Sequence, residues 1–154
     1  MSTDNTFEND IPDVVRSYLG FVLGKASQQV NETVEAQLEQ YNIQVRHFGI
    51  LQLIAGSKPL QQAEIGRLLR IDRTTMVKMI DELQKLNLIE RQRDPVDRRA
   101  YAIYLTDKGQ KLLPEMIEGV QQAEQSALSS LTQSEREELH RLLNKVSLTP
   151  DDTK

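Results

Sequence analysis

From position 72 to 78 the sequence reads Asp-Arg-Thr-Thr-Met-Val-Lys. If this run opens a helix, Arg73, Thr74, Val77 and Lys78 share one face, and Met76, Met79, Ile80 and Leu83 share the other. The first face suits the major groove of a nucleic-acid duplex. Arginine pairs bidentately with guanine, threonine and valine methyls meet the thymine methyl, and lysine serves guanine or phosphate. The opening amides of the helix, at Thr74 and Thr75, add donors for a phosphate. Further on, Asp94-Pro95-Val96-Asp97-Arg98-Arg99 combines turn residues with two adjacent arginines. A hairpin tip carrying Arg98 and Arg99 reaches a minor groove, where narrow A·T tracts concentrate negative potential. Asp97 beside them points to a salt bridge that braces the loop, holding one arginine while the other faces the partner.

The charge distribution agrees with this reading. The 154-residue chain has a net charge of −4, yet residues 67 to 99 hold nine Lys/Arg against six Asp/Glu, leaving the remainder at −7. A basic island in an acidic chain marks one face for an anionic partner. With no cysteine and only His47 and His140 as histidines, cysteine chemistry is excluded and a metal site is not expected. No spacing of an enzyme nucleophile, metal cluster or acid–base pair is recognisable, so neither catalysis nor a cofactor is expected. No apolar run approaches a membrane span, and residues 1–10 lack the basic and apolar regions of a signal peptide. A cytoplasmic protein with no membrane partner is the expectation.

The elements that would position these groups follow from periodicity and capping. Residues 1–10 read as a disordered tail. One long helix is expected from Ile11 to Tyr41, with Val15, Tyr18, Val22, Ala26, Val30, Val34 and Leu38 along its stripe and Gly20 and Gly24 allowing close helix contact. A second helix runs from about Val45 to Ala55, and a short third from Gln62 to Leu69. After a tight turn at Ile71, Asp72 caps a fourth helix reaching about Leu86, and Asn87 suits its left-handed end. Two strands, Leu88 to Arg93 and Ala100 to Leu105, flank the arginine-bearing tip. Thr106 caps a helix reaching about Leu131, kinked or restarted at Pro114. Thr132 and Glu135 form a capping box for a last helix to about Val146. Two short helices, a tight turn and a hairpin have the order of a winged helix-turn-helix. The fold class is therefore mainly α with a small β hairpin, the winged module flanked by long helices.

The sequence resembles the MarR family of bacterial transcription regulators. The resemblance rests on Glu64-Ile65-Gly66-Arg67-Leu68-Leu69, on residues 72–83, on Leu88-Ile89-Glu90-Arg91, and most specifically on residues 94–99 followed by Leu105-Thr106-Asp107-Lys108-Gly109. It covers nearly all of residues 11–146. Gly66 stands where the family usually has alanine, and Asn87 where it usually has glycine. The resemblance implies a homodimer with residues 11–41 and 106–146 as its helical dimerisation region and 45–105 as the winged module, followed by a tail at 147–154. It implies binding to a pseudo-palindromic operator in double-stranded DNA, usually as a repressor, and often release by a small aromatic or phenolic ligand. The apolar stripes of the terminal helices support the dimer independently, since a small monomer would leave them exposed. Two-fold symmetry would set the recognition helices about 34 Å apart, in successive major grooves.

For the ligand, Tyr18, Arg46 and His47 are the candidate pocket residues, against the plainer reading of His47 as a structural histidine. The competing function is a winged-helix protein-interaction module without DNA binding. That reading requires poor groove chemistry at 73–78 and a neutral wing, and the sequence has neither.

Overall fold

The computed structural model describes residues 11–147. The tail expected at 1–10 lies outside the described residues, as does that at 147–154 apart from Ser147. Among the described residues seven helices and three strands succeed one another: α1 (Asp13–Arg16), α2 (Leu19–Leu38), α3 (Val45–Gly56), β1 (Leu60–Gln61), α4 (Gln62–Leu69), α5 (Arg73–Lys85), β2 (Ile89–Arg93), β3 (Tyr101–Leu105), α6 (Asp107–Ala127) and α7 (Gln133–Ser147), with a 3-10 turn at Glu39–Tyr41.

The expected first helix is broken. Tyr18 takes an extended backbone (φ −79°, ψ 108°) between α1 and α2. Its ring folds over Gly20, where a Cβ would lie 2.9 Å from the ring Cζ. Gly20 thus makes room for a side chain of its own segment, and Gly24 has no atom within 4 Å of its would-be Cβ. Neither glycine serves a helix crossing within the described chain. At the other end of α2, Asn42 is left-handed at φ 56°. Glu35 then accepts the Val45 N–H at 3.1 Å, tying the start of α3 to α2.

The sheet holds a third strand that the sequence reading lacks. β1 pairs antiparallel with β3 (Leu60 opposite Ile103, Gln61 opposite Ala102), giving the order β1-β3-β2. Two residues after Pro59 are too few to show a period of two. The hairpin register runs from Ile89 opposite Leu105 to Arg93 opposite Tyr101. Pro114 lies inside α6, which continues past it and ends at Ala127 rather than Leu131.

The core joins α2 through α6 and the sheet. Leu38, Ile50, Leu51, Ile65, Met76, Ile80, Leu83, Leu88, Ile89, Ile103 and Met116 are fully buried, each contributing roughly 1.5–3 kcal/mol of transfer free energy before entropy is counted. α2 lies along α6, whereas α7 makes at most marginal contact with other elements and buries none of its residues. Among the described residues no helix is long and apolar enough to cross a membrane.

Candidate nucleic-acid interface

α4 and α5 cross at Gly66, where a Cβ would stand 3.1 Å from the Ile71 carbonyl oxygen and 3.5 Å from Met76 Cγ. The left-handed Arg70 (φ 53°) turns the chain between them, and Ile71 N–H returns to the Gly66 carbonyl at 2.8 Å. This turn aims α5 outward. Met76, Met79, Ile80 and Leu83 are buried, while Arg73, Thr74, Val77 and Lys78 are exposed together on the opposite side.

Thr75, between the two faces, is half-buried and turned to the cap. Asp72 accepts its amide at 2.9 Å and its hydroxyl at 2.6 Å. The hydroxyl bond foremost, then the amide bond, holds the Asp72 carboxyl below its ordinary range. The cap that starts the helix therefore occupies the Thr75 amide expected for a phosphate, and the Thr75 hydroxyl with it.

Three long-range ties fix the orientation of α5, none of them visible in the sequence. Arg91 on β2 donates to Asp81 at 2.8 Å and to Gln62 at 3.4 Å, and also to Gln84. One guanidinium thus joins α4, α5 and the sheet, using the several donors of its fork. His47 on α3 is buried, accepts the Gln44 N–H at Nδ1 (3.1 Å), and sits with Nε2 2.9 Å from Glu82 on α5. Since Nδ1 accepts, Nε2 carries the proton and donates to the carboxylate. The other Glu82 oxygen lies 3.8 Å from Lys78 Nζ. At the far end of α5, Lys108 Nζ donates to the Leu86 carbonyl at 2.9 Å, the Thr106 hydroxyl to the Asn87 carbonyl, and the Thr106 N–H to the Leu88 carbonyl at 3.1 Å. A lysine at a helix C-terminus also opposes its dipole.

The wing is braced by Asp94 rather than by the expected salt bridge. Asp97 makes no ion pair with Arg98 or Arg99; its carboxylate accepts the Arg99 backbone N–H at 3.0 Å. An aspartate taking an amide two residues on is an Asx-type turn, which satisfies backbone without spending an arginine. Asp94 is buried and accepts three bonds: Val96 N–H at 2.8 Å, Asp97 N–H at 3.0 Å, and Gln61 Nε2 at 2.9 Å. Arg93 lies 4.5 Å over the Tyr101 ring. Arg98 and Arg99 are left exposed at the tip.

The Asp97 amide, then Gln61, then the Val96 amide lower the Asp94 pKa from the ordinary carboxylate range. A depressed folded pKa contributes stability above the unfolded value, and that contribution is lost as pH falls through the folded one. Asp94→Asn is therefore expected to melt below the parent near neutral pH, with the gap closing as pH drops below the carboxylate range. Paired thermal melts across that range check it; a gap independent of pH would assign the effect to shape rather than charge.

The expected pocket trio does not converge. Tyr18 packs on its own segment, Arg46 is exposed, and both ring nitrogens of His47 are occupied. A cleft of about 520 Å³ lies elsewhere, between the end of α3, β3 and the first half of α6. Ile54, Pro59, Ile103, Leu113, Pro114 and Ile117 give it apolar walls, with Tyr104 and Gln110 as polar groups.

A family model described as MarR family matches residues 41–100. The HTH-type transcriptional regulator MgrA of Staphylococcus aureus is 31% identical over 141 residues, covering 91% of this chain and 95% of its own. Among solved structures, the transcriptional repressor CouR bound to a 23-mer DNA duplex superposes with a TM-score of 0.79 at 28% identity, over 86% of this chain and 94% of that one. CouR from Rhodococcus jostii RHA1 bound to p-coumaroyl-CoA has a TM-score of 0.78 at 22% identity, over 91% and 98%, a likeness of fold alone.

Proposed function

The chain belongs to the MarR family of transcriptional regulators, and from that membership we propose that it binds a pseudo-palindromic operator in double-stranded DNA as a homodimer, represses, and is released by a small ligand. One observation carries the reading. Arg73, Thr74, Val77 and Lys78 stand exposed on α5 while its other face is buried, beside a braced wing bearing Arg98 and Arg99. The recognition helix reads the major groove, and the wing arginines meet the minor groove or its phosphates. Residues 45–105 are the reading module. The flanking helices supply the dimer, supported by the exposed Val14, Leu19, Val22 and Leu23 at one end of the chain and Leu142, Leu143 and Val146 at the other. The ligand, an aromatic or phenolic compound, occupies the cleft between α3, β3 and α6 in place of the Tyr18, Arg46 and His47 trio. α6 both lines that cleft and, through Lys108, holds the end of α5.

The test is capture of fragmented genomic DNA from the source organism, sequencing what is retained, with an Arg73/Arg99 double-alanine variant as control. Enrichment of a few palindrome-bearing promoters, lost in the control, is expected; unselective retention by both would discard the reading. On the operator so found, Arg73→Ala should cost about 1–3 kcal/mol of binding and relax base preference. Arg99→Ala should lower affinity across sequences and flatten the salt dependence by about one unit of slope. Titrations at several salt concentrations separate the two roles. An unchanged slope for Arg99→Ala removes that arginine from the phosphate contacts.

A further inference from the structure

Val96 is 94% exposed, the highest value among the exposed large hydrophobics of the described residues. Its neighbour Pro95 is exposed as well, so the wing ends in an apolar pair. Nothing in the loop needs a valine there. The Val96 amide is held by Asp94, the Asp97 carbonyl accepts the Ala100 N–H at 3.0 Å, and the Ala100 carbonyl accepts the Asp94 N–H at 3.1 Å. These bonds use backbone and Asp94 alone. A tip of this kind favours Asn, Asp, Gly or Ser, whereas β-branched residues belong to strands. Local preferences overridden without gain in packing concentrate at functional or strained sites, and the backbone of this tip has no left-handed residue to mark strain. Behind the tip stand three cations. Arg98 and Arg99 are exposed beside it, and Arg93 is fixed over Tyr101 and bonded to the Arg98 carbonyl at 3.3 Å. A rigid apolar point on a cationic base matches a narrow groove between two rows of phosphates.

Resting on the DNA-binding reading above, we propose that Pro95–Val96 is a minor-groove reader that excludes G·C pairs beneath the wing. Every pair presents acceptors on the minor-groove floor, and the wing arginines can supply donors to those. Only G·C adds the guanine N2 amino group, a donor that projects into the groove. The valine isopropyl group has no acceptor to offer it. Covering that amino group leaves a buried donor unpaired, which is where discrimination arises. A·T and T·A stay equivalent under such a contact, so the tip reads composition outside the half-sites while α5 reads sequence within them.

The experiment uses the full-length protein and operator duplexes with 2-aminoadenine in place of adenine at the positions flanking each half-site. This base adds the N2 amino group in the minor groove and leaves the major-groove edge unchanged. The parent protein should lose about tenfold or more in affinity, and inosine·cytosine pairs at those positions should bind as A·T does. Val96→Asn, which keeps the turn, should lose the penalty and still select the same half-site sequence from a random library. A penalty equal in both proteins assigns the effect to the arginines or groove width and overturns the proposal. So does a parent protein indifferent to 2-aminoadenine. A parent that selects no sequence at all overturns the DNA-binding reading, and this one with it.

Discussion

Gly109→Ala is expected to lower the melting temperature by about 10 °C, following a loss of about 3 kcal/mol or more. A Cβ at Gly109 would lie 2.1 Å from the Leu88 carbonyl oxygen and 3.1 Å from its carbon. Both are backbone atoms, and Leu88 is fully buried, so no flexible side chain can swing aside. The carbonyl is also held in place, since it accepts the Thr106 N–H. From the other side, the Gly109 amide is bound to the Thr106 hydroxyl at 3.0 Å as part of the α6 cap. Relief therefore requires α6 to back away from the end of α5, and with it Lys108 and Thr106 release the Leu86 and Asn87 carbonyls. The same change at Gly49, inside α3 with nothing within 4 Å of the would-be Cβ, should raise stability by up to about 1 kcal/mol through helix propensity. Opposite signs for one chemical substitution are the discriminating result. If Gly109→Ala melts at or above the parent, the close approach of α6 to Leu88 is wrong. Operator affinity should fall in parallel, because the clamp that fails is the one holding the recognition helix.

That pair of glycines shows what a sequence makes legible. Features governed by rules spanning three or four residues were readable from the sequence. Asp72 caps α5 through Thr75, Asn87 turns left-handed at φ 57°, and Thr132 and Glu135 close their box with the Thr132 N–H 2.7 Å from the carboxylate. The buried face of α5 follows from period alone. What stayed hidden is what joins distant segments. Arg91 reaches Gln62 across 29 positions, Gln61 reaches Asp94 across 33, and His47 reaches Glu82 across 35. No periodicity encodes such partners, because they meet only after the helices pack. Asp97 is a miss of another kind, a local one, two residues long, in which two local rules compete. Adjacency in sequence favoured an ion pair with an arginine, but the turn brings the Arg99 amide to the carboxylate first. The long-range limit does explain the pocket: Tyr18, Arg46 and His47 group by chemistry, but Tyr18 and Arg46 stay exposed and both His47 ring nitrogens are taken by Gln44 and Glu82. The readable part was enough to find the exposed face of α5; the unread part is what holds it at a fixed angle.

Removing α7 by ending the chain after Leu131 is expected to abolish the dimer and lower operator affinity by about 10²–10⁴-fold. The size follows from losing the second half-site, whose binding is otherwise intramolecular. α7 offers little to its own chain. None of its residues is buried, and Leu142, Leu143 and Val146 are 45%, 41% and 80% exposed. With Leu139 they form a stripe at helical spacing. A helix of this length is marginal alone in water, so its order depends on something covering that stripe. The exposed apolar residues of α1 and the start of α2 offer a matching surface, and in the proposed dimer a second copy would bring the two sets together. Since the truncation removes no core residue, the winged module should stay folded. The milder Leu142→Glu/Leu143→Glu variant removes the apolar contact while keeping the helix exposed to solvent as a charged surface. Sedimentation of both variants checks the prediction, with circular dichroism to show that the remaining helices persist. Binding to full and half operators completes it. The parent should prefer the full site strongly, whereas each variant should bind both alike, because a monomer has only one recognition helix to place. A truncated chain that still sediments as a dimer would move the interface away from α7, and with it the geometry that sets two recognition helices one helical turn apart.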